Sequence, residues 1–312
     1  MVLICSEDRE VYGYGHRSRM IALIDIFEAL EIDFICAITN LQWQAELSKR
    51  KIKTVVLSQT SGDEKEAKEL IKKAEAHLDK IQLFFCDGNR FGNNYLSCIK
   101  KIFNKTVLID DLGFPIRNQA EIVWNPNIYA SPSLYKNWKN IKLFAGEKYV
   151  LLRKEFDRPV ESVKKQSIFV SLGVAASDNI ISIIDQLAKE YKFSVILSDN
   201  FSVDEMIDAI DQSLLTICGA SVTLHEVWRR NKIALPVYQA NDQFYFKQFL
   251  EDKEIDFVNM LDENETQINN NFIQLFDKYF KQETFKNNNH VKMYSIKNNS
   301  KLIINELYCE KR

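Results

Sequence analysis

At 312 residues the chain exceeds the length at which single hydrophobic cores usually split, so two domains are expected. Its 46% hydrophobic and 27% charged residues supply packed cores and exclude a disordered chain, while a net charge of -2 argues against a dedicated nucleic-acid binder.

The run Met1-Val2-Leu3-Ile4-Cys5 is too short for a signal peptide, and no later stretch approaches the ~18 apolar residues of a membrane span. A cytoplasmic monomer with no integral membrane segment is expected. Cys5, Cys36, Cys86, Cys98, Cys218 and Cys309 form neither a CxxC pair nor a cluster at metal-ligand spacing. They read as reduced packing residues, and neither a metal nor a cofactor is expected.

In chain order, short β-rich runs alternate with helix-length stretches. Strands are predicted near 2–5, 34–38, 54–57, 83–86, 107–109 and 122–124, each apolar on consecutive positions as strands buried on both faces require. Between the first two, Met20, Leu23, Phe27 and Leu30 recur at helical spacing, which makes a βαβ beginning. The Lys/Glu-rich stretch 63–73 reads as a solvated helix face with i,i+4 pairs. A second series of strands follows near 168–172, 195–197, 214–218 and 233–237, with helices near 179–190, 203–210 and 224–230. The fold class is therefore α/β, with two successive open sheets. The polar, proline-containing stretch 157–165 is the expected hinge, giving domains 1–158 and 159–312. Amphipathic helices near 266–281 and 291–307 are assigned to the second domain, in position to close over the junction.

Gly13-Tyr14-Gly15-His16-Arg17-Ser18-Arg19 joins the first strand region to the first helix, where open α/β sheets bind ligands. Glycines allow close backbone approach, the helix N-terminus favours an anion, and a neutral imidazole there is a usable general base. A capping or surface imidazole is the other reading of this spacing. Asp110 and Asp111 follow a strand with no third metal ligand in view, and turn and hinge hydrogen bonding is expected of them. His77 and His290 read as solvated, and His225 as helix surface or rim of a ligand cleft.

Four separated segments resemble the UDP-sugar hydrolase family of pseudaminic acid biosynthesis, which removes UDP from a di-N-acetylated deoxysugar. They are the GxGHxxR start at Gly13, Gly15, His16 and Arg19; Ile109-Asp110-Asp111 with the later Asn125-Pro126-Asn127; the run from Gly146 through Tyr149 and Arg153 to Phe156; and the loop Gly219-Ala220-Ser221-Val222-Thr223-Leu224-His225-Glu226. The last is also similar to the peptidoglycan transferase that adds N-acetylglucosamine to a lipid carrier. The resemblance implies the GT-B fold, two Rossmann-like domains facing a central cleft, with a UDP-sugar as small-molecule partner. It implies His16 as the base that activates water at the anomeric carbon. Glu226 is implied to hold the ribose, and Gly219, Ser221, Thr223 and Gln243 the rest of the nucleotide. Gly13, Gly15, Arg19, Asp87, Ser171, Gly173 and Asp242 complete the expected binding set.

This sequence departs from the pattern in three places. Val174 and Ala175 replace a glycine and a hydroxyl residue after Ser171 and Gly173, Gly88-Asn89 replaces a His-Tyr pair after Asp87, and Asp242 stands where the family has Asn. An extra carboxylate beside a diphosphate needs protonation or a partner, for which Arg90 is a candidate. A hydrolase is the leading expectation. The alternatives are a GT-B glycosyltransferase using an acceptor hydroxyl, and a degenerate sugar-nucleotide binding protein without turnover.

Overall fold

Side chains alternate across a strand, so a strand whose every residue is buried must have a packed layer on each face. The computed structural model, which describes residues 1–7, 15–58, 60–114, 119–160, 166–173, 178–198, 201–280 and 299–309, shows this arrangement twice. The chain divides into two compact units, Met1–Arg153 with Lys297–Arg312, and Lys154–Ile296.

In the first unit the strands β1 (Val2–Ser6), β2 (Phe34–Ile38), β3 (Thr54–Val56), β4 (Leu83–Asp87), β5 (Thr106–Ile109), β6 (Ile122–Asn125) and β7 (Lys142–Ala145) form one parallel sheet in the order β3-β2-β1-β4-β5-β6-β7. Val2, Ile4, Leu83, Phe85, Val107, Ile109 and Trp124 point to one face, where helix α1 (Gly15–Ala29) packs. Their neighbours Leu3, Cys5, Phe84, Cys86, Leu108 and Val123 point to the other, against α3 (Glu64–Lys73) and α4 (Asn93–Lys100). Helix α2 (Leu41–Lys49) starts at Asn40, whose side chain accepts from the Gln42 and Trp43 amides.

Strand β7 was not expected, because Lys142–Ala145 is an edge strand, half-buried and led by lysine, with no clear apolar period. The last helix, Ser300–Cys309, inserts Ile303, Ile304 and Leu307 into the α1-side core of the first unit, although the sequence reading assigned it to the second. Its start is held by Ser300 Oγ donating to the Val150 carbonyl at 3.4 Å. Residues 291–298 of the helix expected at 291–307 lie outside the described residues.

The second unit has β8 (Ser167–Ser171), β9 (Ser194–Leu197), β10 (Leu215–Gly219), β11 (Ala234–Tyr238) and β12 (Val258–Asn259) in the order β12-β11-β10-β8-β9, again parallel. On one face α5 (Asp178–Glu190) and α9 (Glu265–Phe280) bury Ile184, Phe272 and Phe276 against Val170, Ile217 and Val237. Helices α6 (Val203–Gln212), α7 (Val222–Arg229) and α8 (Phe244–Asp252) complete the unit.

The expected hinge begins as a fastened segment. Buried Arg230 pairs with Asp211 and donates to the carbonyls of Phe156, Arg158 and Pro159, while Arg158 pairs with Asp204 and Asp208. Residues 154–160 are thereby tied to the second unit, and the remainder, 161–165, lies outside the described residues.

Candidate functional site

Each sheet has one place where neighbouring strands lead their connections to opposite sides, and ligands bind beyond the carboxyl ends of the strands there. In the first unit that place is between β1 and β4, and in the second between β8 and β10. The sequence-predicted residues fall at both.

At the first, His16 and Arg19 lie three residues apart on α1 and therefore share a face, and both are buried. Asp87 ends β4, in phase with Leu83 and Phe85, so its side chain emerges on the α1 side. His16 Nδ1 is 2.9 Å from Asp87 Oδ1. Arg19 donates from Nε to Asp87 Oδ2 at 3.0 Å and from Nη2 to Oδ1 at 2.7 Å, and its Nη1 reaches Asp111 Oδ1 at 2.8 Å. An ionised carboxylate only accepts, so a hydrogen bond across this contact puts a proton on Nδ1, while the Arg19 Nη2 donor lies 2.6 Å from the same nitrogen. Burial pushes the Asp87 carboxyl up, but the Arg19 guanidinium and the His16 imidazole outweigh it and hold the group at about 2. Asp111 is likewise held below the usual carboxylate range, burial being outweighed by Arg19 first and then His16.

The aspartate pair splits by the same alternation. Asp111 continues the phase of Ile109 and meets Arg19 on the α1 side, whereas Asp110 continues that of Leu108. Asp110 Oδ2 accepts from the Gly113 amide at 2.6 Å and the Tyr135 hydroxyl at 2.9 Å, the turn bonding expected of it. Asn127 Nδ2 donates to Asp111 Oδ1 at 2.7 Å, and Asn125 Nδ2 to the Tyr135 hydroxyl at 2.9 Å. Arg19 and Asp87, both expected in the ligand-binding set, pair with each other and lie against His16. The pairing of Asp111 with Arg19 is not among the sequence expectations, and its signal is its phase, the same as that of Asp87 one strand away. Gly13 lies outside the described residues, and Gly15 opens α1.

At the second switch point, β10 ends at Gly219 and Ser221 precedes α7 in extended backbone, with no side-chain cap on the first turn. Helix N-termini leave backbone amides to be satisfied and favour anions. A Cβ on Gly219 would lie 3.0 Å from Gln239 Nε2 and 3.6 Å from Gln243 Nε2, so the glycine lets two amide side chains close over the loop. Gln239 Nε2 donates to the Leu172 carbonyl at 2.6 Å, which ties the β8 and β11 ends together, and its backbone amide donates to Gln243 Oε1 at 2.9 Å. Gln239 was not predicted; its signal is its position at the end of β11, four residues before Gln243. Glu226 is buried in α7 at 3% exposure, Thr223 is half-buried, and Asp242 is exposed. Ser171 accepts from Ser198 Oγ at 3.1 Å, and Gly173 is in the left-handed region with open space where a side chain would be. Val174 and Ala175 lie outside the described residues.

Three expectations are corrected. His225 is buried, not a surface or rim residue, because α7 packs Leu224 through Trp228 inward and the imidazole ring meets Phe246 at 5.1 Å. His77 is half-buried in a 3-10 turn, and His290 lies outside the described residues. Arg90, the candidate partner for Asp242, is engaged within the first unit by Glu66 at 2.7 Å and Glu7 at 3.1 Å. Burial pushes the Cys36 and Cys218 thiols up, as suits inert packing residues. Among the described residues no helix is long and apolar enough to cross a membrane, and no His, Cys, Asp or Glu cluster is arranged to hold a metal ion.

No protein-family model and no curated protein matches the chain. Solved structures do. MurG of Acinetobacter baumannii aligns at TM-score 0.60 and 13% identity over 98% of each chain. The UDP-GlcNAc 2-epimerase of Neisseria meningitidis, solved bound to UDP-GlcNAc, aligns at TM-score 0.64 and 13% identity over 99% of this chain and 100% of its own. Spinosyn rhamnosyltransferase SpnG, solved with thymidine diphosphate, aligns at TM-score 0.59 and 13% identity over 98% and 99%. The chain has the GT-B fold. At this identity the likeness shows architecture, and it extends over nearly the whole of each chain.

Proposed function

We propose that the protein breaks the anomeric C–O bond of a nucleotide-linked sugar, with His16 as general base, and transfers the sugar to an acceptor hydroxyl. The observation that carries this reading is the His16–Asp87 pair at the first switch point, 2.9 Å apart at Nδ1; a proton on Nδ1 leaves Nε2 to accept another. In the proposed step Nε2 takes the proton of the acceptor O–H and the oxygen attacks the anomeric carbon. The bond to the diphosphate breaks, and the nucleoside diphosphate leaves with the electron pair. The second unit takes the nucleotide: Gly219, Ser221 and Thr223 at the head of α7 approach the diphosphate and Glu226 accepts from the ribose hydroxyls. Transfer is favoured by the structural neighbours, which include a rhamnosyltransferase solved with a nucleoside diphosphate. The likeness of four ordered segments to the pseudaminic-type hydrolases favours water as the nucleophile, and this is the second reading.

Nucleoside diphosphate release from a panel of UDP- and dTDP-linked sugars, with and without alcohol acceptors, separates the two. Transfer predicts release that needs an acceptor, and hydrolysis predicts release without one. In either case His16→Ala should lower turnover by about 10²-fold or more while UDP affinity stays within a few-fold. Unchanged turnover in that variant removes His16 from the mechanism, and binding without turnover under every condition refutes both readings.

A further inference from the structure

The side chain of Arg19 is only 5% exposed, and four of its directed contacts end on carboxylate oxygens: two on Asp87 and two on Asp111, the last from Nη2 to Asp111 Oδ2 at 3.1 Å. A guanidinium gripping both oxygens of a carboxylate fixes the plane of that carboxylate, because turning it breaks both bonds together. Asp87 Oδ1 is the shared atom, taking Nη2 at 2.7 Å and facing His16 Nδ1 at 2.9 Å.

The nitrogen Nη2 also lies 2.6 Å from His16 Nδ1, so a competing arrangement exists in which Arg19 donates to a bare Nδ1 and the imidazole proton sits on Nε2. That arrangement sets the Nδ1 lone pair against a carboxylate oxygen with no proton between them. Nη2 has two protons, and the two carboxylate oxygens at 2.7 and 3.1 Å take them in charge-assisted bonds that an imidazole nitrogen does not match.

We propose, resting on the reading of His16 as a base, that Arg19 is a positioning residue: it locks Asp87 so that the His16 proton stays on Nδ1 and Nε2 stays free for substrate. Asn127 and Asp111 extend the chain by fixing the far side of the guanidinium. Arg19 therefore acts through Asp87 and does not hold a ligand.

Nitrogen-15 NMR of histidine-labelled full-length protein tests the lock without turnover, and with four histidines in the chain the His16→Gln spectrum assigns the signals. The expected wild-type pattern is a protonated Nδ1 and a bare Nε2. Arg19→Met should mix or invert the tautomers and lower kcat at least about tenfold with KM within about twofold, and Arg19→Lys, which restores charge without the fork, should recover part of both. Should Arg19→Met fail to fold, Asp111→Asn keeps the grip on Asp87 but loosens Arg19, and a smaller shift in the same direction is expected. A wild-type proton on Nε2, or an unchanged tautomer in both the Arg19→Met and Asp111→Asn proteins, overturns the proposal. A tautomer shift alongside full activity of His16→Ala would remove the base assignment and leave the lock standing, so the two failures are distinguishable.

Discussion

Replacing Asp87 by Asn removes a buried charge while keeping its shape, and the consequences follow from its surroundings. The carboxyl is 1% exposed and is held at about 2 against an ordinary value of 3.8. At ~1.36 kcal/mol per unit, that depression contributes about 2 kcal/mol of stability. Because the folded value lies below the unfolded one, the contribution is complete above about pH 4 and is lost as pH falls through about 2. In the Asn protein Arg19 retains Asp111 as its charged partner while losing the charge of Asp87, so a loss of about 2–4 kcal/mol near pH 7 is expected. Urea unfolding of both proteins at several pH values between about 7 and 2 should show curves that converge at the acid end. The carboxamide can also donate to Nδ1, moving the imidazole proton to Nε2 and lowering kcat by about 10³-fold or more, the scale seen when a triad carboxylate is so replaced. Parallel stability curves with equal midpoints near pH 7 would refute the argument, since they would mean that Asp87 is neither depressed nor paired in the folded state.

Two further outcomes are expected. Gly62→Ala should cost more than about 2 kcal/mol, because φ is +64° and the new Cβ would lie 2.0 Å from the Arg90 carbonyl oxygen; an unchanged melting temperature would show that the turn has another conformation. Glu226→Ala should weaken UDP binding by about 1–3 kcal/mol in calorimetry, and unaltered affinity would place the ribose elsewhere.

The strands β1, β2, β4, β5, β8, β10 and β11 were legible because each is an apolar run with turn residues at its ends. The edge strand Lys142–Ala145 and the two-residue β12 were not, since the first is led by lysine with no clear apolar period and the second is too short to show one. Of the candidate site, the glycine-flanked His16 and the Gly219–Glu226 loop could be found by motif. The use of Asp110 and Asp111 could not, because two adjacent identical residues carry no sign of which face each will take until the strand phase is set against its neighbours.

What the sequence by itself determined is the alternation of strand and helix, the placing of Asp87 in step with Leu83 and Phe85, and the three-residue spacing of His16 and Arg19 on one helix face. Only the tertiary structure decided that β4 lies beside β1, which sets Asp87 against His16 and Arg19 although they are 71 and 68 residues apart. It also decided that Arg19 pairs with two carboxylates, Asp87 and Asp111. The physical reason is that local patterning fixes which side of a strand a residue faces, while strand order, on which charge pairing depends, follows from packing between segments distant in the chain.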